Sequence, residues 1–190
     1  MRGPILDFEA RPVHAAFAPD GSLLFTYQGE KTSTLLGRSV SHTQDVNLDG
    51  YPDLVAGANS WDDLNLGTST AHGRMYLISG KDASLLFTAN GENNSDNLGW
   101  SVSTASDVNL DGYPDLLAGA HLWDDTNLGG TDNGRLYLYS GKDGTLLLTY
   151  QGEQVGTQLG KSVSQAQDVN LRSEERRVGK ECWWGGVWGG

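Results

Sequence analysis

The chain has 190 residues, of which 26 are glycine and only 5 proline, with 37% hydrophobic residues and a formal charge of −11. So acidic a chain lacks the basic face that nucleic-acid phosphates require. It has no apolar run of the roughly 18 residues a membrane-crossing helix needs, and its one cysteine excludes an intrachain disulfide framework.

In chain order, the N-terminal MRGPILDFEARPVHAAF has no charged-then-apolar secretory layout, and residues 1–18 resemble nothing else in the chain. From Pro19 onward the sequence repeats itself. PDGSLLFTYQGE is followed by LLGRSVSHTQDVNLDGYPDLVAGA from Leu35 and HGRMYLISGKDASLLFTANGE from His72. NLGWSVSTASDVNLDGYPDLLAGA from Asn97 and NGRLYLYSGKDGTLLLTYQGE from Asn133 then repeat both blocks, and QLGKSVSQAQDVNL from Gln158 opens a third copy. Asp45, Asp107 and Asp168 mark the same point about 60 residues apart, a period that belongs to repeat architectures. Residues 19–171 therefore hold two nearly complete units with partial units at both ends.

Each unit reads as four short strands. In the first they are Gly37 to Ser41, the apolar run Asp53 to Ala58, Arg74 to Ser79, and Leu85 to Thr88 after a Gly80-Lys81-Asp82 turn. Met75 and Leu77 alternate with Tyr76 and Ile78, so both faces of the third strand are apolar and both need cover. Between Pro19 and Leu171 no glycine-free stretch exceeds 12 residues, which leaves little room for helices. The pattern predicts an all-β fold, a partial propeller of four-stranded blades, because one small sheet cannot bury two faces alone.

The acidic residues are concentrated in D-V-N-L-D-G-Y-P-D, which occurs at Asp45 to Asp53 and at Asp107 to Asp115. Side-chain oxygens come from Asp45, Asn47, Asp49 and Asp53, and from Asp107, Asn109, Asp111 and Asp115. Tyr51 and Tyr113 would add backbone carbonyls. Gly50 and Gly112 permit the sharp turn. Alternate oxygens on a curled loop suit calcium, a hard cation taking six to eight oxygen ligands. An EF-hand reading fails, because the residues at the position of its bidentate Glu are Ala56 and Ala118 in strand-like runs. A dockerin-like reading needs a following helix and fails with it.

LG-x-SVS, D-x-N-x-D-G-Y-P-D-L and G-R-x-Y-L-x-S-G-K-D together resemble the FG-GAP repeats of integrin-α-type β-propellers. Leu36-Gly37, Leu98-Gly99 and Leu159-Gly160 stand at the Phe-Gly positions. Gly57-Ala58-Asn59 and Gly119-Ala120-His121 stand at Gly-Ala-Pro, without the proline. The resemblance implies calcium as the bound ion, loops joining the first two strands of each blade, and a ring of seven blades in the complete family members. It also implies an extracellular or cell-surface setting and a non-enzymatic adhesion or interaction role with a protein or carbohydrate ligand. The alternative is the propeller portion of a larger secreted enzyme, lyase or phospholipase-like, with its catalytic residues elsewhere.

Other motifs weigh less. Trp61-Asp62-Asp63 and Trp123-Asp124-Asp125, near His72 and His121, could pair carboxylates for acid–base work, but a repeated acidic turn over a packed aromatic is ordinary scaffolding. His14 and His42 show no metal-ligand spacing. Asn93-Asn94-Ser95 matches the glycosylation sequon. No catalytic residue is expected. The repeat breaks off after Leu171, where Arg172 to Cys182 (RSEERRVGKEC) resembles one reading frame of a sequencing-library adapter, so residues 172–190 are expected to carry no function. The third loop keeps Asp168 and Asn170 but has Arg172 and Arg176 at later ligand positions and Ser173 in place of the turn glycine, so it is expected to bind no ion.

Overall fold

A computed structural model describes residues 13–17, 23–30, 33–62, 71–125 and 131–165, which form ten strands and no helix. β1 (Val13–Phe17) and β2 (Leu23–Gln28) pair as an antiparallel hairpin. β3 (Leu36–His42), β4 (Leu54–Ala58), β5 (Arg74–Ile78) and β6 (Leu85–Asn90) form one antiparallel sheet in that order. β7 (Ser101–Thr104), β8 (Leu116–Ala120), β9 (Arg135–Tyr139) and β10 (Leu146–Gln151) form the next. The register repeats with the sequence: Val40 faces Ala56, which faces Tyr76, while Val102 faces Ala118, which faces Tyr137. This is a partial β-propeller with two complete four-stranded blades. β1 falls in the stretch that the repeat pattern left unassigned.

The period of two on β5 divides its side chains between two cores. Met75 and Leu77 join Val55, Leu116, Ala118, Tyr137 and Tyr139 between the two blades. Tyr76 and Ile78 point the other way, joining Leu36, Ala56, Ala58 and Trp61, with Tyr27 of β2 packed against them. Each large side chain so buried contributes about 1.5–3 kcal/mol, and each blade depends on its neighbour for that gain.

The seam between blades is made by backbone. A Cβ at Gly57 would run into the Gly99 carbonyl, and one at Gly119 into the Gly160 carbonyl. The Leu-Gly step that opens each unit therefore lies directly on the Gly-Ala step of the unit before. The Ser39 hydroxyl donates to the Gly99 carbonyl at 3.0 Å, and the Ser101 hydroxyl to the Gly160 carbonyl at 2.6 Å. The recurring SVS and GA motifs serve this crossing, which stacks the blades with their first strands side by side. It also sets the acidic loops at one end of the blades and the Trp-Asp-Asp loops at the other.

Candidate functional site

The first acidic loop joins β3 to β4 and the second joins β7 to β8, as the repeat pattern requires. Each is curled by its own side chains. Asp45 accepts the Asp49 N–H on Oδ1 at 2.9 Å and the Gly50 N–H on Oδ2 at 2.7 Å. Asn47 Oδ1 accepts the same Asp49 N–H at 3.1 Å, and Asp49 Oδ1 accepts the Tyr51 N–H at 3.0 Å. Asp107, Asn109 and Asp111 repeat this at 3.0, 2.8, 3.2 and 3.0 Å. Short polar side chains that fold back on nearby amides are the usual makers of such turns.

The curl leaves strained backbone at its apex. Leu48 and Leu110 have φ of 59° and 61°, and the glycines two residues on have 94° and 93°. A leucine in the left-handed region is uncommon, and here it occurs at the same loop position twice.

Asp53 and Asp115 behave differently from the other ligand candidates. Both are buried. Asp53 Oδ2 accepts the Val46 N–H at 2.8 Å and the Asn47 N–H at 3.3 Å, while Oδ1 accepts the Gly80 N–H at 3.1 Å. Asp115 binds Val108 and Gly141 at 2.7 and 3.3 Å. Burial raises both carboxyls above the ordinary aspartate range, and the N–H bonds only partly offset it.

One serine that sequence reading missed also reaches each loop. Ser79 donates its hydroxyl to Asp49 Oδ2 at 3.4 Å, and Ser140 donates to Asp111 Oδ2 at 3.4 Å. Their signal was present in the recurring S-G-K-D. The Lys81 and Lys142 ammonium groups sit 5.7 and 5.4 Å from the Tyr51 and Tyr113 rings.

The donors are all oxygen, which suits a hard cation and no softer metal. Their present directions are another matter. Among the described residues no three carboxylate, imidazole or thiol groups converge on one metal position, and the Asn47 amide turns an N–H toward Asp49 Oδ2 at 3.0 Å. The loop amides currently occupy part of each carboxylate. An ionised Asp has about four lone-pair positions, so Asp45 and Asp49 keep acceptor capacity beyond the bonds they make. The remnants of the third loop, Asp168 and Asn170, lie outside the described residues.

At the opposite end, Trp61 and Trp123 are buried beneath arginines whose guanidinium carbons lie 3.4 and 3.5 Å from the indole centroids, Arg74 and Arg135 respectively. Arg74 pairs with Glu30 at 3.1 Å, and Arg135 with Glu92 at 2.9 Å. Each glutamate belongs to the unit before its arginine, so the pair ties one unit to the next. This assigns the Trp-Asp-Asp tryptophans to packing. Asp63 lies outside the described residues.

Residues 36–72 and 98–139 match the FG-GAP repeat family. Human phosphatidylinositol-glycan-specific phospholipase D is 35% identical over an alignment of 147 residues that covers 70% of this chain and 17% of that protein. The chain therefore spans about a sixth of the length of that relative. The crystal structure of the exotype rhamnogalacturonan lyase YesX aligns with 76% of this chain and 25% of its own, at 15% identity and a TM-score of 0.34.

Proposed function

Because the chain carries FG-GAP repeats, we propose that it is a calcium-binding propeller module that acts as a non-enzymatic scaffold for adhesion or for binding a protein or carbohydrate. The observation that carries this reading is the duplicated acidic loop. Two copies, one per blade, hold Asp, Asn, Asp and Asp in the same order and curl through the same hydrogen bonds, in which side-chain oxygens accept backbone N–H groups. Three carboxylates in each loop repel one another, and a bound dication removes that repulsion. Asp45, Asn47, Asp49 and Asp53 would hold one ion with the Tyr51 carbonyl, and Asp107, Asn109, Asp111, Asp115 and Tyr113 the other. Binding requires the Asn47 and Asn109 amides to turn their oxygens inward. Weak sites of this kind operate at the calcium levels found outside cells, about 0.1–1 mM, which supports an extracellular or cell-surface setting.

Isothermal titration calorimetry with calcium tests this directly. The expected stoichiometry is two ions per chain, falling to one in Asp45→Ala or in Asp107→Ala. No calcium heat at millimolar concentration would overturn the reading.

A second reading, the propeller portion of a larger secreted enzyme, is favoured by the phospholipase D relative, of which this chain spans 17%. Recovering the full coding sequence from the source DNA separates the two. An adjoining catalytic domain supports the enzyme, and further repeats with an anchor support the adhesion scaffold.

A further inference from the structure

The fourth strand of each unit runs into the first strand of the next through a segment of constant length and changing sequence. The copies read Gly29-Glu30-Lys31-Thr32-Ser33-Thr34, Gly91-Glu92-Asn93-Asn94-Ser95-Asp96 and Gly152-Glu153-Gln154-Val155-Gly156-Thr157. The glycine and glutamate recur for structural reasons. A Cβ at Gly91 or Gly152 would run into the carbonyl of His72 or Asn133, and Glu30 and Glu92 hold the inter-unit arginines. The next position carries Lys31, Asn93 or Gln154, so the segment demands no particular side chain there.

In the middle copy the turn is held through its backbone. Asp96, only 1% exposed, accepts the Asn93 N–H on Oδ2 at 2.7 Å and donates its own N–H to the Asn93 carbonyl at 3.4 Å. The Ser95 carbonyl accepts the Asn97 Nδ2–H at 2.9 Å. Neither the Asn93 carboxamide nor the Ser95 hydroxyl takes part in these bonds, and Asn93, Asn94 and Ser95 are all exposed. Ser95 also has a φ of 68° where the next copy has Gly156 at 75°. Serine is strained there relative to glycine, and its hydroxyl does nothing for the turn.

We propose that Asn93 is a site of N-linked glycosylation. Asn93-Asn94-Ser95 is the acceptor pattern, and no other asparagine of the chain begins it. A bulky, hydrated glycan needs an exposed attachment point, and this turn supplies one. In the transfer, Asn93 Nδ2 attacks the anomeric carbon of an oligosaccharide carried on a polyprenyl diphosphate. The N–C bond forms as the bond from that carbon to the diphosphate oxygen breaks. Nδ2 gives one proton to a base of the transferase, and the lipid diphosphate leaves with the electron pair. The folded turn carries the product without losing a hydrogen bond. It lies at the end of the blades opposite the acidic loops, so the glycan leaves those loops clear. The proposal goes beyond the scaffold reading and rests on it only for the secretory setting.

The test is expression of the full chain behind a cleavable secretion leader in cultured human cells. Peptide N-glycosidase should remove a single gel shift, and mass spectrometry should find Asn93 converted to aspartate by the enzyme. A chain that stays in the cells is read in the same way from the membrane fraction, because transfer takes place in the lumen. Asn93→Gln and Ser95→Gly should each abolish the shift, and Ser95→Thr should keep it. Ser95→Gly also controls for folding, since it installs the next copy's residue and should melt no lower than the unglycosylated wild type. An unmodified Asn93 in the wild-type chain, or a shift that survives in Asn93→Gln or Ser95→Gly, would overturn the assignment. Calcium calorimetry on the same samples keeps the readings apart. An unmodified chain that binds calcium sinks only the glycan, and a glycosylated chain without calcium heat sinks only the metal sites.

Discussion

The buried carboxylate of Asp53 reaches beyond its own loop to accept the Gly80 N–H at 3.1 Å, fastening the β3–β4 loop to the turn between β5 and β6. Asp115 makes the same link to Gly141 at 3.3 Å. The last aspartate of each loop is thus a structural acceptor whether or not a cation is present.

That separates the loop residues by experiment. Asp53→Ala strands the buried Val46 N–H and leaves the Gly80 N–H without its acceptor, so it should cost about 3 kcal/mol or more with chelator present. Asp45→Ala removes a half-exposed acceptor whose amides can turn to water, and should cost about 1 kcal/mol in chelator. In calcium at a hundredfold excess over Kd it should lose a further ~2.7 kcal/mol of linkage. Denaturant melts in calcium and in chelator measure both. Equal losses for Asp45→Ala under the two conditions would mean its carboxylate serves the turn alone.

The inter-unit arginine clamp should depend on guanidinium shape more than on charge. The Arg74 guanidinium lies 3.4 Å over the Trp61 ring while its Nη1 donates to both Glu30 oxygens at 3.1 and 3.2 Å and its Nε donates to Asn90 at 2.6 Å. Lysine keeps the charge but neither the plane nor the fork. Arg74→Lys should therefore lower stability by about 1–2 kcal/mol. Glu30→Gln, at a largely exposed partner, should lower it by less than about 1 kcal/mol. A larger loss for Glu30→Gln than for Arg74→Lys would show that charge dominates.

Asp96 gives a pH signature. Burial, the largest cause, raises its carboxyl to about 6, so the folded state holds a proton that the unfolded chain releases near the ordinary value of 3.8. Protonated in both states at low pH, the group is neutral toward folding there. As pH rises from about 4 through 6, the folded state binds more protons than the unfolded, and stability falls. Asp96→Asn cannot ionise, and it keeps an oxygen for the Asn93 N–H that Asp96 accepts at 2.7 Å. The variant should gain on the wild type steadily across that window and hold its advantage at pH 7. A stability difference independent of pH would place the wild-type carboxyl near its ordinary value.

The repeat made much of this legible. Alternation at Met75, Tyr76, Leu77 and Ile78 foretold two cores, and the structure sends the four side chains to two different neighbours. The repeated Asp-Asn-Asp-Gly foretold two loops of one form, and Asp45, Asn47 and Asp49 make the same turn bonds as Asp107, Asn109 and Asp111. Three features stayed hidden, for physical reasons. β1 lies in a stretch whose sequence resembles no other copy, and only its backbone pairing with β2 reveals it. Ser79 acts on Asp49 from 30 residues away, a contact that spacing within the loop cannot show. The Arg–Trp–Glu clamp joins residues from successive units, so its three parts never appear within one repeat when units are read singly.

The seam between blades yields the sharpest structural test. Gly57 lies in β4, where alanine would ordinarily be the better residue, since glycine weakens strand interiors. Its φ is not in the left-handed region that would require glycine, yet a Cβ there would meet the Gly99 carbonyl and the Ser39 hydroxyl. The carbonyl is backbone and cannot swing aside. Gly57→Ala should therefore cost about 3 kcal/mol or more, at or above the upper end of overpacking effects, by forcing the second blade off the first. Gly50→Ala makes the comparison, because Gly50 has open space around it and a φ of 94°, so its penalty of about 1–2 kcal/mol is local backbone strain. Hydrogen exchange distinguishes the two costs. In Gly57→Ala the Gly99 N–H, which donates to the Gly119 carbonyl at 3.1 Å, should lose protection while β4–β5 amides keep theirs. In Gly50→Ala the loss should stay within the acidic loop. Wild-type stability in Gly57→Ala, or protection unchanged at Gly99, would mean that the blades can separate at this seam without cost.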